Sequence, residues 1–178
     1  MADTTAPEQE AAPAQEATTR QKDKMTLVIF SGELDRALAA FIIATTGASM
    51  GWDVTMFFTF WGLNILKKNE GPAGGKGFFR KMMNRMNRGG PKRLKLSKFH
   101  MFGLGTGMMK QFMKENKMPT LDEFIVMARD LGVKMMPCST SCGIMGISDA
   151  LFREGTGDQA GAAFFLNEAR DSKVTLFI

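Results

Sequence analysis

The only two thiols of the chain, Cys138 and Cys142, lie four residues apart in the stretch KMMPCSTSCGIMGIS. Small and hydroxyl-bearing residues follow Cys138, and Pro137 halts whatever precedes it. A cysteine in such a loop, beside the backbone N–H groups of residues 139–143 and ahead of a short helix expected near 144–148, is favoured as the thiolate, its nucleophilic form. The competing role for Cys138 is that of a small buried hydrophobe. Cys142 is either a packing residue or the second thiol of a dithiol. Its C-x-x-x-C spacing differs from the C-x-x-C of thioredoxin-like redox sites, and Pro137 and Gly143 argue against a regular helix that would stack the two sulfurs.

Other chemistries find fewer residues. Zinc requires three or four ligands, and beyond the two cysteines the chain offers the single His100, which falls in an apolar segment expected to be a strand. No metal or other cofactor is expected. GLGTG at 103–107 resembles a phosphate-cradling loop but lacks the spacing of a dinucleotide fingerprint or a P-loop. No Ser-His-Asp order or carboxylate pair stands out. Asp35 and Arg36 either line a crevice or pair with each other at a helix start.

The elements that must position Cys138 alternate between two periods. MTLVIFSG reads as a strand buried on both faces, and the following ELDRALAAFIIATTGASMG has apolar residues at helical spacing. WDVTMFFTF is a second strand, which makes a parallel βαβ unit with the first. A short helix begins at WGLNILKK, and KFHMFGLG from Lys98 is a predicted third strand. TLDEFIVMARDLG carries a capping box, Thr120 with Glu123, and ends at Gly132. VKMMP is a fourth strand, a helix opens at Gly157 or Asp158 and runs through Arg170, and KVTLFI is a fifth strand. This alternation predicts an α/β domain, a three-layer sandwich around a mainly parallel sheet of about five strands. In such sheets, sites lie at the carboxyl ends of strands. That rule selects Ser31 and Gly32, Thr59, Gly103 and Gly105, and Cys138 as residues that converge on one crevice.

With 178 residues, 44% hydrophobic, the chain suffices for one domain with a sizeable core, assigned to 25–178. Residues 1–24, rich in Ala, Pro, Gln, Glu and Thr, read as a disordered leader with no secretion signal. The longest apolar stretch, 54–66, is interrupted by Gly62 and Asn64 and falls short of the roughly 18 residues of a spanning helix. A cytoplasmic location is expected, where a reducing environment favours a free thiol over a structural disulfide. The net charge of +5 is local: residues 67–98 alone carry eleven basic groups against Glu70. Nucleic-acid binding is therefore not expected. That basic insertion contains an amphipathic piece at 78–87, with Phe79, Met82, Met83 and Met86 set against Arg80, Lys81 and Arg85. It could cover the domain's own core or meet a neighbouring subunit, an anionic partner or a membrane surface.

FSGELDRALAAFIIATTGASMGWDVTMFFTFWGLNILKK, together with GVKMMPCSTSCGIMGI, resembles the DsrE/DsrF-like family, in its DsrE-like, peroxiredoxin-like subgroup. The resemblance covers nearly all of 25–178. It implies that the sulfur-bearing cysteine of the family is Cys138, with Ser141, Met145 and Gly146 completing the motif, and that Cys142 stands where family members usually have another residue. The implied function is a sulfur relay, in which the cysteine takes a sulfane sulfur as a persulfide and passes it on, as a carrier or a sulfurtransferase. Implied partners are further copies of the chain in a homo-oligomer, a small TusA-like carrier and a rhodanese-like donor. Two other functions remain open: a dithiol redox protein using Cys138 and Cys142, and a non-catalytic oligomeric scaffold or ligand-binding module. A peroxidase would want an Arg near the thiolate, and the local loop has none.

Overall fold

The computed structural model describes residues 22–69 and 89–178, together with Phe78 and Met82. Its sheet has four strands among these residues: β1 (Lys24–Ile29), β2 (Asp53–Phe58), β3 (Lys134–Pro137) and β4 (Val174–Phe177). Their order is β3-β2-β1-β4, every pairing is parallel, and the register runs from Lys24 opposite Asp53 to Ile29 opposite Phe58. Parallel neighbours require crossovers. The first is α1 (Leu34–Ser49), whose buried Leu34, Ala37, Leu38, Phe41 and Ala44 recur at three and four residues and form one stripe.

The period of two along the central strands decides what each layer receives. Leu27 and Ile29 of β1 and Val54, Met56 and Phe58 of β2 join the main core beneath α1 and α4 (Leu121–Asp130). Phe41 and Phe58, both fully buried, meet there with ring centroids 6.2 Å apart. Thr26, Thr55 and Phe57 turn to the opposite face. That face is covered by α6 (Ala162–Arg170), where Phe57 meets Phe165 at 5.5 Å and the Thr55 hydroxyl donates to Glu168 at 3.2 Å. The result is the expected three-layer α/β sandwich. The capping box that opens α4 forms as well: the Glu123 N–H donates to the Thr120 hydroxyl at 3.3 Å, and the Thr120 N–H to the Glu123 carboxylate at 2.7 Å.

The segment from Lys98 is not a strand. Phe99, Met101 and Phe102 all have positive φ, 55°, 38° and 53°, which no extended chain adopts. They form a hook that ends in a 3₁₀ turn, Met101–Gly103, and leads into α3 (Leu104–Glu115). The apolar run that suggested burial is instead largely exposed at Phe99, Phe102 and Leu104. Its glycines serve local packing: a Cβ on Gly105 would sit 1.7 Å from the Phe99 carbonyl oxygen. His100 is therefore no core strand residue; half-buried ahead of α3, it pairs its Nδ1 with the Thr106 hydroxyl at 3.0 Å. The sheet thus has four strands where about five were expected.

Two helix starts also move. The last helix begins at Ala162, because the preceding backbone is tied to the edge of β3, Gly157 N–H to Met135 at 2.9 Å and Ala160 N–H to Pro137 at 2.9 Å. The helix expected near 144–148 begins earlier, as α5 (Ser139–Met145). Pro137 does not oppose it, since it lies ahead of the first turn, where no N–H is needed.

Of the two segments set apart by composition, most of the leader 1–24 and the centre of the basic insertion, including Phe79, Arg80, Lys81, Met83, Arg85 and Met86, lie outside the described residues. Phe78 and Met82 are exposed. The ends of the insertion belong to the body of the domain. Leu94 and Leu96 join the core, the Lys95 carbonyl accepts the Leu34 N–H at 2.7 Å, and α2 (Leu63–Leu66) delivers Lys67 into a buried bridge with Phe152. Among the described residues no helix is long and apolar enough to cross a membrane.

Candidate functional site around Cys138

Cys138 is the first residue past β3 and the N-cap of α5. Its own N–H continues the ladder by donating to the Phe58 carbonyl at 2.8 Å, and the next N–H, of Ser139, reaches Ala160 at 2.9 Å. The sulfur-bearing residue is thereby pinned from both sides at the carboxyl edge of the sheet. Thr59, the first residue past β2, is fixed in the same way by a bond from its N–H to the Ile29 carbonyl at 3.0 Å. Its hydroxyl meets that of Ser141, in the first turn of α5, at 2.7 Å.

These groups converge on the Cys138 thiol. The residue is buried, 6% exposed, and burial alone pushes the pKa of a thiol up. The Ser141 N–H and hydroxyl, the Thr59 hydroxyl and the Thr140 N–H outweigh it, so the thiol is held below its ordinary value. None closes a strict capping hydrogen bond to the sulfur. Together they form a small cradle of donors in which negative charge on sulfur is stabilised, with no cationic side chain among its causes.

Cys142 is one turn further along α5, where its N–H donates to the Cys138 carbonyl at 2.9 Å. It is 1% exposed and belongs to the core with Met145, Ile147 and Phe152. Burial, and then the charges of Cys138 and Asp149, push its thiol up to about 12, with the Lys67 ammonium opposing them. Lys67 is itself buried, and desolvation lowers it to about 8. Both cysteines are free thiols.

Of the residues selected from sequence, Thr59 and Ser141 stand with Cys138. Met145 is 4% exposed and packs into the core as the last residue of α5. Gly146 closes that helix at φ 65°, a left-handed position that suits glycine, while the Ile147 N–H returns to the Cys142 carbonyl at 2.9 Å. These two form the carboxyl end of α5. Ser31 and Gly32, past β1, line a neighbouring cavity of about 400 Å³. Gly103 ends the hook before α3 and Gly105 lies in the first turn of that helix; neither is at a strand end, so the strand-end rule does not bring them to Cys138. Asp35 and Arg36 do not pair with each other. Asp35 accepts from the Ser97 N–H at 3.0 Å and from its hydroxyl, and Arg36 pairs with Glu33 at 3.3 Å. Sequence reasoning missed Lys67, whose burial no local pattern announces; the Thr140 and Ser141 N–H groups are among the backbone donors of 139–143 that it expected.

Three comparisons bear on this arrangement. Residues 21–177 match the family model described as DsrE/DsrF/DrsH-like. The chain is 39% identical over 160 residues to the uncharacterized protein YrkE of Bacillus subtilis, covering 90% of this chain and 99% of that protein. It is 34% identical over 162 residues to the sulfur carrier protein DsrE2 of Allochromatium vinosum, covering 89% of this chain and 99% of that one. Among solved structures it is similar to the ychN protein from E. coli, with a TM-score of 0.52 over 88% of this chain and 99% of that chain at 10% identity, a likeness of fold. A family model that spans nearly the whole described domain, and relatives 39% and 34% identical over about nine tenths of the chain, lead to one conclusion: the chain belongs to the DsrE/DsrF/DrsH-like family.

Proposed function

We propose that the protein is a sulfur-relay component in which Cys138 accepts a sulfane sulfur and carries it as a persulfide. The observation that carries this reading is the donor cradle of Ser141, Thr140 and Thr59 at the carboxyl edge of the sheet, which lowers the pKa of a buried thiol. The Cys138 thiolate attacks the outer sulfur of a donor R–S–SH or of thiosulfate. A Cys138 S–S bond forms, the donor's S–S bond breaks, and R–S⁻ or sulfite leaves with the electron pair. An acceptor thiolate then attacks the outer sulfur, and Cys138 departs as the thiolate it began as. No external oxidant or reductant is consumed. The same donors that hold the thiolate serve the persulfide anion.

A carrier named as such among the relatives supports this assignment. We further propose that the chain works in a reducing compartment, as a homo-oligomer, and exchanges sulfur with a TusA-like carrier or a rhodanese-like donor. The exposed ring cluster at the carboxyl ends of the strands, with Phe30 5.6 Å from Phe60 and 5.9 Å from Phe177, offers such a protein an apolar footing on the same end of the sheet as Cys138. A dithiol cycle would demand a nucleophilic Cys142, and burial sets that thiol far from ionisation.

Intact-mass spectrometry of the reduced protein after brief exposure to polysulfide tests the proposal. Gain of one sulfur, about 32 Da, should appear in the wild type and in Cys142→Ser and be absent from Cys138→Ser; subsequent addition of a small acceptor thiol should remove it. Loss of about two hydrogens in the wild type, abolished by either substitution, would point to the dithiol instead.

A further inference from the structure

β4 is the strand that the rest of the chain leaves bare. β1 and β2 bury every residue but their first, whereas no residue of β4 is buried: Val174 and Leu176 are half-covered, and Thr175 and Phe177 are exposed. A parallel strand is ordinarily covered on both faces. On the main core face α1 lies over β1 and β2, and α4, the crossover to β3, packs beside it on the side away from β4. Helices pack about 8–10 Å apart, roughly two strand spacings of about 4.8 Å. The place for the next helix is therefore over β4, where Val174, Leu176 and Ile178 face the core, and among the described residues no helix packs there. α1 has the opposite lack. Its outer face, turned from its own sheet, exposes Ala39, Ile42, Ile43, Thr46, Ser49 and the capping Met50, the last at 66%. None is charged, and the chain carries no charge at all from residue 37 to residue 52. The other long helices differ: α3 exposes Lys110 and Lys114, α4 Glu123, Arg129 and Asp130, and α6 Arg170. An apolar outer face depleted of charge marks a surface that is covered in the working protein.

We infer that a second copy of this chain supplies both covers: the α1 of each copy lies against the β4 of the other, beside the other's α1, in an isologous dimer. A helix that needs a sheet and a strand that needs a helix occur here on one chain, yet α1 cannot turn its outer face to its own β4. Two copies related by a two-fold axis along the helix direction satisfy both needs at once, since what α1 of the first gives to β4 of the second is returned in the same contact. Charge selects the same occupant. With a net charge of +5, two copies approach with least repulsion across a neutral face, and an anionic partner would be drawn to the lysines of α3 rather than to a surface without any. That axis leaves the strands of both copies running the same way. Both Cys138 cradles then face the same end of the dimer, each complete within its own copy. This names the contact face of the homo-oligomer proposed above and rests on that part of the reading, not on the sulfur chemistry.

Sedimentation velocity of the full chain under reducing conditions tests the inference. The wild type should sediment as an oligomer at micromolar concentration. Ile42→Glu should raise the dissociation constant at least about thirtyfold, and Leu176→Lys should do as much from the other side of the contact. An equimolar mixture of the two variants should associate at least about tenfold more tightly than either alone, because a mixed dimer sets carboxylate and ammonium in one contact and keeps the other native. Misfolding does not imitate that recovery. Val126→Glu, on the exposed face of α4, should leave association unchanged. If Leu176→Lys fails to fold, Ile42→Glu combined with Ile43→Glu, both at exposed positions, decides the question against Val126→Glu. A monomeric wild type overturns the contact face and the homo-oligomer together. An oligomer that survives the α1 variants, or that Val126→Glu breaks as readily, overturns the face alone. Loading of Cys138 by polysulfide should match the wild type in the dissociated variants; loading absent from the wild type itself would overturn the relay and leave the contact face standing.

Discussion

Cys138 caps and Cys142 lies within the same seven-residue helix, and a single backbone hydrogen bond joins them, yet they occupy opposite electrostatic environments. Cys138 caps the helix, where unspent N–H groups and the coupled Thr59–Ser141 hydroxyl pair stabilise its sulfur. Cys142 is one turn inside, where the N–H groups are already used and the surroundings are Met145, Ile147 and Phe152. Burial raises both thiols. At Cys138 the donors outweigh it, and at Cys142 burial, with the charges of Cys138 and Asp149, pushes the thiol up to about 12. A second thiol near a reactive one is therefore not evidence of a redox pair.

The comparison can be broken most severely by exchanging the chemistry. Cys138→Ser should abolish uptake of sulfur from polysulfide, and Cys142→Ala should leave its rate within about twofold, because only the first thiol has a stabilised anion. Next in size is the support beneath the cradle. A Cβ on Gly62 would lie 2.0 Å from the Ile29 carbonyl oxygen, so Gly62→Ala must displace the turn that follows Thr59. A loss of about 3 kcal/mol or more in urea denaturation, with sulfur uptake impaired in whatever remains folded, is the expected result.

A finer probe removes the donors singly. Thr59→Val and Ser141→Ala should each slow iodoacetamide labelling of Cys138 about three- to tenfold at neutral pH. The difference should close as the pH is raised until both forms are ionised. Labelling of Cys142 in the folded protein should stay negligible throughout.

The smallest effect is on stability. Cys138, held below its usual range, and Lys67, lowered to about 8, bind fewer protons in the folded chain than in the unfolded chain at mildly alkaline pH. Stability should therefore rise as pH goes from about 8 to 9, by no more than about 2 kcal/mol. Cys142 has the opposite sign. Above its ordinary value of 9.0 the unfolded chain loses a proton that the folded chain keeps, so its contribution falls with pH and offsets the continued gain from Lys67. Denaturation midpoints across this range should show a rise that levels off, and in Cys142→Ala the levelling should vanish.

Much of this was legible in the sequence where local pattern and tertiary demand agree. The βαβ unit of β1, α1 and β2 follows from two apolar runs around a helical stripe, and the Thr120–Glu123 box marks the start of α4. The placement of Cys138 past a strand end came from VKMMP followed by small residues. Where pattern failed, the reasons are specific. The apolar run from Lys98 looks like a strand, but its backbone is bent through left-handed conformations and its side chains face solvent. Helix α5 contains Ser, Thr and Gly, poor helix formers, and is sustained by ties to Phe58 and Ala160. The Thr59–Ser141 contact spans 82 residues, a distance at which no single-sequence period operates.

The most direct test of the central claim is to locate the transferred sulfur. After brief exposure to polysulfide and blocking of free thiols, the tryptic peptide 135–153, which carries both cysteines, is fragmented in the mass spectrometer. The account predicts an added mass of about 32 Da on fragments that contain Cys138 and none on those that contain Cys142 alone. Sulfur found on Cys142, or a Cys138–Cys142 disulfide as the main product, would contradict it.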